Sequence, residues 1–267
     1  DQQSCTMDAH SLENIEILIH LSGANIGSHR WTKTRKQQIL DSRIHTANAM
    51  FNILQNRKHK VHTMISMSAV GFYGSSDTDE VFTEVSPPGN DFLAMVCSKW
   101  EDAAFQFTQL GVRTVIFRSG VVLASGGGAL NKMAFPFRFG LGAPLGTGLQ
   151  FLPWIHIDDL CQIFLKAVRE IEMSGVYNAV APEHINNREF SKILSQVLNR
   201  PFWLPHIPGF ALKWLLGEMS QMVLDGSRVS AGKLQNTGFN FKYPTLQSAL
   251  TEIYTKHEKN LGNTNEF

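Results

Sequence analysis

Three short apolar segments alternate with two longer amphipathic segments over about the first 120 residues. The short segments, 15–21, 61–66 and 112–117, are rich in β-branched residues, which is typical of buried strands in a parallel sheet. The longer segments, 33–55 and 92–109, repeat apolar residues at helical spacing. This alternation predicts βαβ units and an α/β fold. Right-handed crossovers bring the three strand ends to one edge, where such sheets bind ligands.

Loops are predicted at three places. Residues 74–90 are rich in turn-forming residues, and in the second half of the chain glycines cluster at Gly126–Gly128 and Gly140–Gly148. The remaining pattern predicts a strand at 176–179 and helices at 158–171, 187–198, 209–216 and 243–257. No internal repeat or low-complexity linker is evident. We therefore expect residues 1–160 to form the core, and residues 161–267 to be mainly a cap with closing helices, intertwined with that core.

Composition narrows the class of partner. The 267 residues carry 24 basic and 23 acidic side chains, and no basic stripe argues for a nucleic-acid partner. Cys5, Cys97 and Cys161 lack the spacing of a disulfide framework or metal site, so we expect free thiols in a reducing compartment. No apolar run reaches membrane-spanning length. We expect a cytoplasmic protein whose partner is a small molecule, with no nucleic acid and no membrane.

Five sequence motifs follow one another along the chain: LSGANIGSHRWTKTRKQQILDSR (Leu21–Arg43), SMSAVGFYG (Ser66–Gly74), SPPGNDFLAMVCSKWE (Ser86–Glu101), FRSGVVLASGGGAL (Phe117–Leu130) and LGAPLGTGLQFLPWIHIDDL (Leu141–Leu160). In this order and spacing they resemble the motifs of the extended short-chain dehydrogenase/reductases. More narrowly, they resemble the branch called epimerase family proteins, sometimes labelled cell-division-inhibitor-like. The resemblance implies a Rossmann-type doubly wound parallel sheet with a smaller C-terminal α/β cap. It also implies NADP as cofactor, with NAD as the alternative.

The glycine-rich phosphate-binding motif of such proteins is absent from the expected place. It follows the first strand, where its glycines let the backbone approach a pyrophosphate at a helix N-terminus. No such pattern precedes Ile15, and Gly126–Gly128 follows the third strand instead. We expect that a βαβ unit of roughly 30 residues or more lies outside this sequence, which makes the sheet N-terminally truncated. A fragment is the favoured explanation, and a natural truncation is the alternative.

The resemblance also implies which residues contact the cofactor. Strand ends supply small residues that allow close approach, the helix after the first strand supplies polar side chains, and a lysine binds the nicotinamide ribose. The predicted cofactor contacts are Leu21, Ser22, Gly23, Gln38, Arg43, Ser66, Lys99, Arg118, Ser119, Gly120 and Val122. The alternative for these residues is structural: tight turns at strand ends, and solvent-facing side chains on a charged helix.

Three residues are candidates for catalysis. Ser68 matches the position of the superfamily's catalytic serine or threonine, whose hydroxyl steadies developing charge, although it could instead bond nearby backbone. Lys99 matches the lysine of the Tyr-x-x-x-Lys pair, but Met95 stands where the tyrosine belongs and cannot transfer a proton. Tyr73 is a weaker substitute, and Lys99 could also be a surface lysine.

The remaining candidates lead to three functional hypotheses. His156, Asp158 and Asp159 could be metal ligands or an acid/base pair, but we favour a structural role and no metal. In that role Asp158 or Asp159 caps the following helix and His156 braces the crevice floor. The first hypothesis is an NADP-dependent oxidoreductase or nucleotide-sugar-epimerase-like enzyme that transfers hydride to or from an unknown small molecule. The second is a dinucleotide-binding sensor or interaction protein with little turnover, and the third a cell-division partner. By analogy, a homodimer would form through 92–109.

Overall fold

The computed structural model describes residues 12–75 and 79–262, and side chains as far as Thr255. Cys5 lies outside the described residues. The strands are β1 (Ile17–His20), β2 (Thr63–Ala69), β3 (Val81–Phe82), β4 (Arg113–Ser119), β5 (Val121–Leu123), β6 (Trp154–His156), β7 (Gly175–Ala179) and β8 (Arg228–Val229). The α-helices are α1 (Lys33–Gln55), α2 (Phe92–Phe105), α3 (Gly128–Arg138), α4 (Ile157–Arg169), α5 (Asn187–Val197), α6 (Gly209–Leu216), α7 (Gln221–Leu224), α8 (Gly232–Asn236) and α9 (Leu246–Gly262).

The chain divides into two compact units, each assembled from separate segments. Unit 1 comprises the described part of 1–74 together with 84–118 and 163–177, and unit 2 comprises the described parts of 75–83, 119–162 and 178–267. The predicted domain boundary at residue 160 falls within α4. The assignment of 161–267 as a substrate cap stays a prediction.

Unit 1 is built on a sheet of strand order β1-β2-β4-β7, in which β1 pairs in parallel with β2. Helices flank both faces of this sheet. Successive side chains of β4 point to opposite faces, and neighbouring residues of β4 contact different helices. Arg118 contacts Glu101 of α2 on one face, and Phe117 packs against Phe164 of α4 on the other. The predicted Rossmann-type α/β fold with a parallel sheet and flanking helices is confirmed.

The core of unit 1 follows from the amphipathic pattern of α1. Thr32 caps this helix by accepting a hydrogen bond from the Arg35 amide. Its buried side chains include Met50, Phe51 and Leu54, which pack with Leu18, Met64 and Phe107 in one apolar cluster. Burial of a side chain of this size contributes roughly 1.5–3 kcal/mol. This packing fixes β1 and β2 in register, so that His20, the last residue of β1, lies opposite Ser66 in the middle of β2.

Unit 2 contains elements that the sequence pattern does not predict. Strand β3 lies within the turn-rich segment 74–90 and pairs in parallel with β8. Helix α3 begins at Gly128, where the glycine cluster indicates a loop, and it accommodates Pro136 within its length. Apolar side chains of α3 and of the later helices nevertheless share a core, whose buried members include Leu130, Phe137, Trp154, Phe190, Leu194, Leu246 and Leu250. Tertiary packing therefore overrides the weak helix propensity of α3.

Candidate functional site

A buried network of polar side chains in unit 1 joins the ends of β2 and β4 to α2. Ser68, near the end of β2, donates its hydroxyl hydrogen to Glu101 Oε1 over 2.7 Å. Arg118, in β4, donates from Nε to Oε1 and from Nη2 to Oε2 of the same carboxylate, each over 2.8 Å. Its Nη1 also donates to the Tyr73 hydroxyl over 3.0 Å. All four side chains are buried, so the network fixes the relative positions of the two strand ends.

The position of Glu101 on α2 explains why a charge is buried here. Asp91 caps the helix by accepting from the Ala94 amide over 2.8 Å. The buried face then contains Ala94, Cys97, Glu101 and Ala104, which recur at helical spacing. A carboxylate on such an apolar stripe must be paired, because an isolated buried charge is very costly. An acidic residue within an apolar stripe is the sequence signal that could have identified Glu101. The family motifs do not single out this residue.

Arg118 is stabilised as a cation. Its guanidinium lies over the Phe72 ring, with 3.3 Å from Cζ to the ring centroid, a cation–π arrangement. Burial lowers the pKa of Arg118, but the hydrogen bonds and charge of Glu101 outweigh burial and raise the pKa above its ordinary value. The guanidinium of Arg118, a predicted cofactor contact, is therefore already engaged by Glu101, Tyr73 and Phe72.

The hydroxyl hydrogen of Ser68 is used in a hydrogen bond within this network. A serine hydroxyl has a single hydrogen, and that of Ser68 points to Glu101. Ser68 can therefore accept a further hydrogen bond in this arrangement but cannot donate one. Cys97 lies beside it, and burial, followed by the charge of Glu101, raises the pKa of its thiol to about 12, so Cys97 is a thiol at neutral pH.

A second buried polar cluster in unit 1 is formed by His20, Ser66 and Trp100. Trp100 Nε1 donates to His20 Nδ1 over 3.3 Å, and Ser66 Oγ is 3.4 Å from that nitrogen. Ser66 also donates to the Met67 carbonyl over 3.0 Å. Burial, and then the nearby charge of Arg43, lower the pKa of His20 to about 4. Ser66, a predicted cofactor contact, is thus fully buried beneath the strand ends.

The predicted cofactor contacts that follow β1 are more accessible. The Leu21 side chain is 61% exposed, and Gly23 is exposed while Ser22 is half-buried. Arg43 packs against this turn: its Nη1 donates to the Ala24 carbonyl over 3.3 Å. A Cβ added at Gly23 would lie 2.9 Å from Arg43 Cζ, so the glycine makes room for the arginine. Burial lowers the pKa of Arg43.

Three predicted site residues lie on the helices of unit 1. Gln38 is exposed on α1 and accepts from Arg35 Nη1 over 3.2 Å. Lys99 is exposed on α2, and Met95, one turn before it, is 38% exposed. Residues four apart lie on one helix face. The structure therefore reproduces the placement that a Tyr-x-x-x-Lys pair requires, with a thioether in place of the phenol.

The other predicted contacts, Ser119, Gly120 and Val122, belong to unit 2. The Gly120 amide donates to the Ala179 carbonyl over 3.2 Å. A Cβ added at Gly120 would lie 2.6 Å from the Pro153 carbonyl oxygen. Backbone packing by itself therefore requires glycine at this position.

His156 and the two aspartates that follow it serve hydrogen bonding in unit 2. The Asp158 amide donates to His156 Nδ1 over 3.1 Å, so Nε2 carries the ring proton and donates to Glu252 over 3.0 Å. The side-chain donor atoms of His156, Asp158 and Glu252 lie within 4.8 Å of one another, but both nitrogens of the His156 ring are already engaged. Of the two aspartates expected to cap the following helix, Asp159 does not do so, because its two oxygens accept from the amides of Lys242 and Tyr243.

Comparison with known proteins connects these features to a family. Residues 1–180 match the model of the NAD dependent epimerase/dehydratase family, and residues 207–253 match a domain of unknown function, DUF1731. An epimerase family protein of Staphylococcus saprophyticus is 42% identical over 247 residues, which cover 91% of this chain and 81% of that protein. Epimerase family protein SDR39U1 of Mus musculus is 38% identical, covering 89% of this chain and 82% of that protein.

Solved structures of epimerases share the fold of this chain. The crystal structure of human epimerase family protein SDR39U1 (isoform 2) with NADPH has a TM-score of 0.84 and 33% identity, covering 92% of this chain and 84% of that one. A Thermotoga maritima UDP-glucose 4-epimerase structure with UDP-glucose has a TM-score of 0.76 at 15% identity, covering 98% and 82%, which supports the fold alone. Among the described residues, no helix is long and apolar enough to cross a membrane. The chain therefore belongs to the NAD dependent epimerase/dehydratase family, and its sequence places it among the epimerase family proteins.

Proposed function

We propose that this chain binds NADPH and takes part in hydride transfer to or from a small-molecule substrate, as an oxidoreductase or a nucleotide-sugar-epimerase-like protein. The observation that carries the proposal is the carboxyl edge of the parallel sheet in unit 1. There, Leu21 and Gly23 are exposed beside a buried network that holds the neighbouring strand ends rigid. A relative of 33% identity was solved with NADPH, which supports the same cofactor here.

The residues of unit 1 fit such a cofactor. Leu21 and Gly23 offer a small, apolar surface on which a planar ring can lie, and Lys99 offers an exposed cation for a ribose hydroxyl. When bound, the nicotinamide accepts or supplies the hydride. We assign Ser66 and Arg118 a supporting role, because both are buried and bonded within the protein. Gln38, Arg43, Ser119, Gly120 and Val122 remain proposed contacts.

The protonation step is where this chain departs from its superfamily. Met95 replaces the usual phenol, and the hydroxyl hydrogen of Ser68 is directed to Glu101. Ser68 is only 1% exposed, as buried as Ser66. We therefore propose that Ser68 supports the site through its bond to Glu101, and that Tyr73 has a structural role as a partner of Arg118. Lys99 then remains as the exposed proton-bearing group on that face of α2.

The same observation favours a second candidate function. A site in which Met95 and Ser68 both lack an available proton would bind a dinucleotide and turn over slowly or not at all, as a sensor or interaction protein does. We further propose a cytoplasmic location, and a homodimer formed through the region of α2, where Phe105 is apolar and exposed.

Turnover of NADPH with a panel of nucleotide sugars and small carbonyl compounds separates the two candidates. The assay uses the complete product of the gene that encodes this chain. Hydride transfer predicts turnover with at least one compound, and Met95→Tyr should raise it at least tenfold, because a phenol one turn before Lys99 restores a proton donor. The matched control, Met95→Phe, adds the ring without the hydroxyl and should not. NADPH binding without turnover in any variant supports the sensor.

A further inference from the structure

Arg228 is a half-buried arginine in unit 2. It lies in β8, which pairs in parallel with β3. Its neighbour Val229 is only 2% exposed, so the side chain of Arg228 projects from the opposite face of this short strand. Within the part of the chain whose side chains are described, no ion pair joins Arg228 to a carboxylate. A partly buried charge without a counter-charge is costly, which points to a ligand that supplies one.

Two neighbouring side chains hold the guanidinium of Arg228 in one place. Its Nε donates to His184 Nδ1. The Phe151 ring lies beside the guanidinium, with 5.5 Å from Cζ to the ring centroid. The Phe151 and His184 rings are themselves 6.5 Å apart between centroids. Gly226 allows this arrangement, because a Cβ added there would clash with the Phe151 carbonyl oxygen. The three side chains therefore surround one site.

His184 fixes Arg228 without neutralising it. An arginine can only donate, so His184 Nδ1 is the acceptor and its imidazole is neutral in this pair. Burial, followed by the charge of Arg228, lowers the pKa of His184. Glu183 and Glu189 lie close to His184 in the sequence, but their carboxylates accept hydrogen bonds from backbone amides. The site therefore keeps one positive charge.

The remaining donors of Arg228 distinguish it from arginines that stabilise the fold. Arg118 uses Nε and both Nη atoms on Glu101 and Tyr73. Arg113 donates from both Nη atoms to backbone carbonyls. The side chain of Arg228 uses Nε alone in the described structure, and both of its Nη atoms are accessible to solvent. Arg228 is thus held in position with two donors left for a ligand.

We propose that Arg228, His184 and Phe151 form a site that binds the carboxylate group of a small organic acid. The two Nη atoms present parallel N–H groups that match the two oxygens of a carboxylate. One fixed cation also matches its single negative charge. The half-buried Phe151 ring offers an apolar surface to the carbon skeleton of the acid. The site belongs to unit 2 and does not depend on the proposed hydride transfer.

The test is a titration of 4-fluorobenzoate with the complete gene product, followed by fluorine NMR in the absence of cofactor. We expect the wild type to bind with a Kd of about 1 mM or tighter. Arg228→Gln and Arg228→Lys should each bind at least tenfold more weakly, because lysine keeps the charge but loses the two parallel donors. The matched control, Arg200→Gln, removes the charge of an exposed arginine beyond the far end of α5, a helix about 16 Å long. Its affinity should equal that of the wild type.

Two further probes identify the group that is recognised. The neutral analogue 4-fluorobenzamide should not bind, and acetate should displace 4-fluorobenzoate at least as well as inorganic phosphate does. Equal affinity of the wild type and Arg228→Gln, or no binding to the wild type, overturns the proposal. Displacement by phosphate at concentrations at which acetate has no effect would assign the site to a phosphate group and would also overturn it. Because the titration contains no cofactor, a failure to bind NADPH would refute the proposed function and leave this result unchanged.

Discussion

Replacing Glu101 by glutamine should destabilise unit 1 strongly. The carboxylate accepts three hydrogen bonds of 2.7–2.8 Å, two from Arg118 and one from Ser68. The side chains of the ion pair are only 4% and 5% exposed. A glutamine keeps one acceptor oxygen but turns an amide N–H towards Arg118 Nη2 and leaves the guanidinium charge buried without a counter-charge. Breaking a buried pair in this way costs about 3–5 kcal/mol.

Two further variants separate the ion pair from the serine bond. Ser68→Ala leaves the ion pair intact and removes one bond to a charged group, which should cost about 1.5–3 kcal/mol. The double variant Glu101→Leu/Arg118→Met removes both charges together. It should cost several kcal/mol less than the sum of its two single variants, because neither charge is then left alone.

Urea unfolding, followed by near-ultraviolet circular dichroism, measures these free energies. Hydrogen exchange of peptides from β2 and β4 assigns the loss to unit 1, since a chain with two units need not unfold in one step. The control is Asp102→Asn, which neutralises the neighbouring exposed carboxylate and should change stability by less than about 0.5 kcal/mol. A loss of under about 1 kcal/mol for Glu101→Gln, or strict additivity in the double variant, would refute the coupled network.

Three more predictions concern single residues. The pKa of His20 is lowered from 6.5 to about 4, so the unfolded chain takes up a proton first, and stability should fall by at most about 3 kcal/mol as the pH drops from about 6.5 to about 4. His20→Asn should reduce that dependence in unfolding curves at several pH values, and an unchanged slope would contradict the assignment. A maleimide followed by mass spectrometry should label exposed Cys161 but not buried Cys97 until the protein unfolds, and rapid native labelling of Cys97 would contradict the packing. Gly120→Ala should lower the melting temperature by several degrees, because its Cβ would lie 2.6 Å from the Pro153 carbonyl oxygen; an unchanged melting temperature would show that the backbone there can move.

Local pattern was enough to predict the elements of unit 1. Helix α1 has the predicted bounds, Lys33–Gln55, because its cap and its apolar stripe are both properties of adjacent residues. Helix α3 escaped prediction, since its glycine start and internal proline oppose a helix in isolation. It exists because Leu130 and Phe137 pack into the core of unit 2.

The candidate site was only partly predictable for a related reason. Motif spacing makes Ser68 a catalytic candidate, which stays a prediction, and Met95 and Lys99 lie one turn apart on α2. It did not identify Glu101 as the acceptor of the Ser68 proton, because that bond joins residues 33 positions apart in the chain. The direction of a hydrogen bond depends on a tertiary contact, and the chemistry of Ser68 depends on that direction.

The proposed function requires that the protein binds NADPH, and a measurement of cofactor binding tests this requirement directly. NADPH and NADH are titrated by calorimetry into the complete gene product, whose fold is first verified by circular dichroism. We expect NADPH to bind with micromolar or tighter affinity, Lys99→Ala to weaken binding about tenfold, and Lys99→Arg to retain most of it. Absence of binding by either dinucleotide to the folded protein would contradict the proposed function.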